Sequence, residues 1–223
     1  DNNTALGYRS LTTNTSGHSN TGLGKDALYS NTVGVYNTAV GEGALYTNVD
    51  GSNSVAVGRL ALYTQDPASA VDMHNVAVGY TAAQATTTGT ENTAVGSGAM
   101  ITNTTGGSSV AVGRQALNTN LTGTNNTALG FKALYYNSVG YYSVAVGYEA
   151  LKYQAPGSNE DSYNTAVGYQ AGYGLTSGQY NTAIGGVALD ATVTGDGNTA
   201  VGYSAATTMT SGTTNVAVGG YSL

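Results

Sequence analysis

The chain has no cysteine and no tryptophan, and only one phenylalanine, two prolines and two histidines among 223 residues. Without cysteine, disulfides and thiolate metal sites are out of reach. Lys and Arg number 6 against 12 Asp and Glu, a formal net charge of −6, and the basic residues stand singly, as at Arg9, Lys25, Arg59 and Arg114. That speaks against a nucleic-acid partner, which needs a basic stripe. No apolar run approaches the roughly 18 residues of a membrane span, so no membrane insertion is expected. The chain opens on DNNTALG, with neither Met nor a basic-then-apolar leader, and is read as a piece of a longer or processed polypeptide. Charged residues make up 8%, against about 25% in an average domain. A chain so poor in large aliphatic side chains does not easily fill a spherical core, but it can fill a thin one to which each short segment adds the same few apolar atoms.

What the chain does have is glycine (33), tyrosine (18) and a repeat. NTAVGEGALYTN (37–48) recurs in close variants throughout, and such periodicity is sought first because it decides the fold. The Gly closing each NTAVG-like unit falls at Gly7, Gly24, Gly41, Gly58, Gly79, Gly96, Gly113, Gly130, Gly147, Gly168, Gly185, Gly202 and Gly219. Ten of the twelve steps are 17 residues; those from Gly58 and from Gly147 are 21. The long steps lie 89 residues apart, and their insertions, YTQDPASAVDMHN (63–75) and KYQAPGSNEDSYN (152–164), share Gln, Pro, Ser, Asp and Asn in register. The expectation is one repeat domain over 1–223, a fragment of a longer fibre, with a super-repeat of 89 residues.

Ten residues after most of these glycines stands a second one (Gly17, Gly34, Gly51, Gly89), failing at Ala68. Two Gly per unit suggest two tight corners at positive φ. Between them lie runs too short for helices and rich in β-branched residues and Tyr. Two strands and two turns per unit predict an all-β fold, a parallel β-solenoid or β-roll of 13 coils with a 17-residue period and two 21-residue coils. At about 4.8 Å per coil it would span roughly 60 Å. Three-sided hexapeptide helices, with periods near 18, fit a strict 17 less well.

Within NTAVG the second position is Thr or Val and the fourth Leu, Val or Ile, as at Thr4 and Leu6 or Val55 and Val57. Period two puts these on one face, expected to point inward against Leu11, Leu28, Leu45, Leu62, Met100 and Leu117. Between them runs a column of small residues: Ala5, Gly22, Ala39, Ala56, Ala77, Ala94, Ala111, Ala128, Ala145, Ala166, Ala183, Ala200 and Ala217. A water-facing position has no reason to exclude Lys, Thr and Glu at every level. The column is therefore expected outside the roll, pressed by the same chain or, more economically, by identical neighbours along a seam where copies meet. Recent copying is the alternative, and the wide drift of the neighbouring loops counts against it.

Asn or Ser opens every unit, and a second column holds Asn14, Asn31, Asn48, Asn103, Asn120 and Asn137. Side-chain amides stacked from coil to coil, satisfying corner backbone groups, are expected over glycan attachment at the NTS and NTT triplets.

The pattern [N/S]-[T/V]-A-[V/L/I]-G followed by xxAL resembles the head repeats of YadA-like trimeric autotransporter adhesins. It is also similar to NTAxGxxAL arrays of phage tail-fibre proteins. The resemblance covers essentially all of 1–223 and implies a left-handed parallel β-roll in which three chains associate side by side. It further implies that Val55 and Val57, or Thr4 and Leu6, are core, with Ala56 or Ala5 facing away. The period here is longer than the family's, and Thr replaces Val at eight of thirteen first apolar positions.

No catalytic residue is assigned. His18 and His74 occupy different columns, and no Ser, His and Asp converge. TGLGKDAL (21–28) lacks the Gly-x4-Gly-Lys spacing of a phosphate loop. No cofactor or bound metal is expected. Asp66 with Asp72, Glu160 with Asp161, and Asp196 offer oxygen ligands for Ca²⁺, without a dense acidic spacing. Tyr8, Tyr80, Tyr148, Tyr169 and Tyr203 share one column, and Tyr29, Tyr46, Tyr63, Tyr135 and Tyr173 another. They are read either as stacks along the fibre or as a sticky surface for glycans or proteins. Insertions in a solenoid bulge from one face. Gln65, Asp66, Pro67, Asp72, His74, Gln154, Pro156, Glu160, Asp161 and Tyr163 are therefore the candidate partner-binding loops.

The functional expectation is a non-enzymatic extracellular segment at a cell or virion surface, a homotrimeric fibre acting as spacer and adhesive. Its partners would be itself and a host-surface glycan or protein receptor. A polymeric filament or sheath subunit, an ice-binding solenoid and a glycan-cleaving tail spike are the alternatives.

Overall fold

Each NTAVG-like unit places three residues in a strand, and within each compact unit of the chain a strand lies directly beside the strand one coil away. The computed structural model describes residues 2–157 and 161–223. The chain divides into two compact units, Asp1–Ser109 and Val110–Leu223, with one long coil in each. The first holds β1 (Thr4–Leu6), β2 (Thr21–Leu23), β3 (Thr38–Val40), β4 (Val55–Val57), β5 (Val76–Val78) and β6 (Thr93–Val95), hydrogen-bonded in sequence order. The second holds β7 (Val110–Val112), β8 (Thr127–Leu129), β9 (Val144–Val146), β10 (Thr165–Val167), β11 (Thr182–Ile184), β12 (Thr199–Val201) and β13 (Val216–Val218), again in order. Every pairing within a unit is parallel, and like positions face like positions: Thr21↔Thr38 and Gly22↔Ala39 in the first, Thr165↔Thr182 and Ala166↔Ala183 in the second. The long coils keep that register, with Val55↔Val76 and Thr165↔Val144. The fold is an all-β parallel β-solenoid, as the repeat predicts, and no helix occurs among the described residues.

The assignment of faces is the reverse of the expected one. Ala39, Ala56, Ala77, Ala94, Ala111, Ala128, Ala145, Ala166 and Ala200 are fully buried, Ala183 and Ala217 nearly so, and Gly22 is buried with them. Ala5, on the first strand, is the one exposed member of the column. The flanking Thr/Val and Val/Leu/Ile side chains are half-buried or exposed throughout. The small column therefore lines the interior and cannot be an intersubunit seam. The reason is volume. From the opposite side of each coil, Ala27 and Leu28, Ala44 and Leu45, or Ala133 and Leu134 enter the same space with no exposure. A layer that already holds a Leu and an Ala leaves room for a methyl group from the strand and nothing larger.

Among the described residues the second strand of each coil is also absent. Residues such as Ala44 and Leu45 are consecutive and both fully buried, which the alternation of an extended strand does not allow. The chain achieves it by turning Leu into left-handed geometry, with φ of 52° at Leu28, 51° at Leu45 and 50° at Leu134. This conformation is unfavourable for a branched side chain. It is compensated by burial of the Leu and by coil-to-coil amide bonds such as Leu28 N→Ala44 O at 3.0 Å and Ser30 N→Tyr46 O at 3.0 Å.

The two glycine columns have different causes. The glycine ending each strand lies at positive φ, 133° at Gly24 and 140° at Gly168, where a side chain is strained. At Gly34 no such φ is needed. A Cβ there would meet Gly51 O at 2.4 Å and Asn31 Oδ1 at 2.5 Å, so close stacking, and not a special dihedral angle, excludes anything larger.

The asparagine ladders form as expected. Asn37 N donates to Asn20 Oδ1 at 2.9 Å, Ser54 N to Asn37 Oδ1 at 3.0 Å, and Asn37 Nδ2 to Gly51 O at 2.8 Å. In the second column Asn31 Nδ2 donates to Asn14 Oδ1 at 2.9 Å. Buried corner groups that would otherwise lack partners are paired in this way.

Candidate functional site

The outward face of the strands is the most regular surface each unit presents. Within the first unit, Val55 and Val57 flank buried Ala56, and Val76 and Val78 flank Ala77; Val78 is 37% exposed. Within the second, Thr182 and Ile184 flank Ala183, and Ile184 is 40% exposed. No outward strand position carries a charge, and at least one of each pair is Val, Leu or Ile.

Aromatic residues form ladders beside this framework. Tyr29, Tyr46 and Tyr63 stack at 5.1 and 5.0 Å in the first unit, and Phe131, Tyr148 and Tyr169 at 5.2 and 5.3 Å in the second. A further ladder, Tyr142, Tyr163 and Tyr180 at 4.9 and 5.3 Å, escaped the sequence reading. Its signal was present as a column, but the four-residue insertion before Tyr163 shifts the count. Stacked rings cover one another's faces, so these columns offer mainly edges and hydroxyls to solvent.

Charges also run from coil to coil. Arg9 Nε donates to Asp26 Oδ1 at 2.7 Å, Lys25 Nζ lies 3.4 Å from Glu42 Oε1, and Arg59 Nε lies 3.1 Å from Glu42 Oε2. The hydrogen bond from Arg9 holds the Asp26 carboxyl below the usual carboxylate range, and those from Arg59 and Lys25 do the same for Glu42. In the second unit Lys152 Nζ meets Glu149 Oε1 at 2.8 Å. Burial works against both of these charges, but the pair, with the Tyr173 hydroxyl on Lys152 and Gln170 on Glu149, outweighs it and leaves Glu149 low and Lys152 high.

The insertions do not project as a whole. Gln65 and Gln154 are fully buried, and Pro67 and Pro156 are buried beside them, so these four do not meet a partner. Gln65 Nε2 donates to Asn48 Oδ1 at 2.9 Å and to Ser54 Oγ at 3.0 Å, and Asn75 Nδ2 donates back to Gln65 Oε1 at 2.9 Å. Gln154 repeats the arrangement with Asn137, Ser143 and Asn164. The longer side chain carries the Asn ladder across the enlarged coil. Asp66, Asp72, His74, Asp161 and Tyr163 are exposed; Glu160 lies outside the described residues.

Three of the acidic groups weighed for Ca²⁺ serve neighbouring coils. Asp66 Oδ1 accepts from Val49 N at 3.2 Å, Asp72 Oδ1 from Asn53 Nδ2 at 2.7 Å, and Asp196 Oδ1 from Gln179 N at 2.7 Å. Among the described residues no three of His, Cys, Asp and Glu gather into a group able to hold a metal ion, and no helix is long and apolar enough to cross a membrane. His18 is exposed, edge-on to Tyr36 at 5.4 Å. Comparison with protein-family models, with curated proteins and with solved structures found no match to this chain.

Proposed function

We propose that the chain is a segment of a non-enzymatic extracellular fibre, at a cell or virion surface, whose copies associate as a homotrimer through the outward strand face. In this reading it acts as spacer and as adhesive surface, with many weak contacts giving avidity. The observation that carries it is the charge-free outward stripe, Thr/Val and Val/Leu/Ile on every strand. Contiguous exposed apolar surface of this kind marks a contact site. The resemblance to trimeric adhesin head repeats supports three copies, with the contact moved from the Ala column to its neighbours.

Light scattering on 1–223 tests the proposal. A mass near three times 22.3 kDa is expected, and Val78→Asp combined with Ile184→Asp reduces it to that of one chain without loss of the β-sheet circular dichroism signal. A wild-type monomer, or variants that associate unchanged, overturns it. Growth to indefinite polymers selects the filament alternative.

One observation favours a second reading, an ice-binding surface. Thr165, Thr182 and Thr199 lie in register on the outward face, where an inward one was expected. Thermal hysteresis from a monomeric chain would select it, and none would dispose of it.

A further inference from the structure

Two adjacent aromatic columns of the second unit end side by side. Tyr136 and Tyr153 stack at 5.3 Å, but the next two positions of that column are Gly174 and Ala191. In the adjacent column Tyr173 is followed by Asp190. With no ring to continue either stack, Tyr173 stands at 86° to Tyr153, 5.0 Å between centroids, and the two rings wall a notch of about 440 Å³. Gly174 also lines it, and a Cβ there would lie 2.5 Å from Ala191 O, so close stacking excludes a side chain at that position. Asp190, Thr176 and Thr192 supply its polar rim. The same two coils depart from the Asn ladder. Leu175 and Val193 are buried in its place, and Thr192 is left exposed.

We propose that this notch binds one pyranose ring of a neutral glycan, its C–H face against the tyrosine wall and its hydroxyls on Asp190, Thr176 and Thr192. An apolar wall with a few convergent polar groups is the usual make-up of a small-molecule site, and the volume lies in the range of such sites. Asp190 is an acceptor for hydroxyl donors, and charge-assisted bonds of this type are the strong ones. Burial raises the Asp190 pKa, so donors from a ligand would restore what desolvation removed. The rim carboxylate and the net charge of −6 disfavour anionic sugars. Lys152 Nζ already lies 5.1 Å from the centroids of both rings, which disfavours a cationic ligand. The inference gives the adhesive reading its ligand class and rests on that reading. The notch itself is built within one chain, so sugar binding by a monomer would overturn the trimer alone, and a trimer blind to sugars would overturn the notch alone.

Saturation-transfer NMR and calorimetry of 1–223 with methyl glycosides of glucose, galactose, mannose and N-acetylglucosamine, and with their short oligomers, test it. At least one neutral probe is expected to bind saturably. Ala191→Trp, which fills the notch, Tyr173→Ala and Asp190→Asn should each weaken it at least tenfold, with the melting transition of at least one variant retained. No binding of any neutral probe overturns the proposal. So does a response only to sialyllactose or choline, or full affinity in a folded Ala191→Trp variant.

Discussion

Gly22 stands where every other coil carries Ala, Ser10 where all but the last do, and the two compensate one another. Ser10 Oγ donates to Gly22 O at 2.9 Å, and a Cβ placed on Gly22 would lie 2.5 Å from that same Oγ. The one gap in the strand column of Ala is thus filled from across the coil. The thin interior conserves its volume layer by layer.

A double-mutant cycle reads this coupling. Gly22→Ala alone should cost about 1–3 kcal/mol as overpacking. Adding Ser10→Ala should recover at least half of that, because residues in contact do not behave additively. Urea unfolding followed by circular dichroism supplies both values, and simple additivity would contradict the packing described.

Ala56 lies inside and Val57 outside. Ala56→Glu buries an unpaired charge among apolar groups and should abolish the unfolding transition at every protein concentration. Val57→Ser, one residue on, should leave a cooperative transition whose midpoint moves by no more than a few degrees. Thermal melts of both variants at several concentrations check this. A folded, merely unassociated Ala56→Glu chain would restore the column to the surface.

Asp26 gives the first unit a pH-dependent contribution of known sign. Its folded-state pKa lies below the ordinary value of 3.8, through the hydrogen bond from Arg9. Its stabilising effect is therefore complete above that value and is lost as pH falls through the lower, folded one. Wild type should melt above Asp26→Asn at pH 6, and the gap should close as pH drops below about 4. A gap that widens on acidification would reverse the sign and with it the role of the pair.

The stacked architecture was legible because its causes repeat. The ruler from Gly7 to Gly219 set the coil count. The Asn20, Asn37 and Ser54 column named the ladder, and Val55 and Val76 each stand three residues before a ruler glycine, Gly58 and Gly79, on either side of an insertion. The Gln65 and Gln154 networks were not legible, because a buried Gln and an exposed one look alike until the enlarged coil around them has a shape. The tyrosine notch was hidden for a related reason, since Gly174 marks an opening only once Tyr153 and Asp190 are seen on the neighbouring coils.

Sequence alone determined the period, the parallel stacking and the fact that Val55 and Val57 share a face opposite to that of Ala56. Tertiary structure decided which of those faces is the inside. Alternation fixes relative sides but not their direction, and the direction follows from what enters from across the coil. There Ala61 and Leu62, with Leu62 at φ 48°, both point inward and occupy the layer, so only the methyl of Ala56 fits and the two valines are turned out.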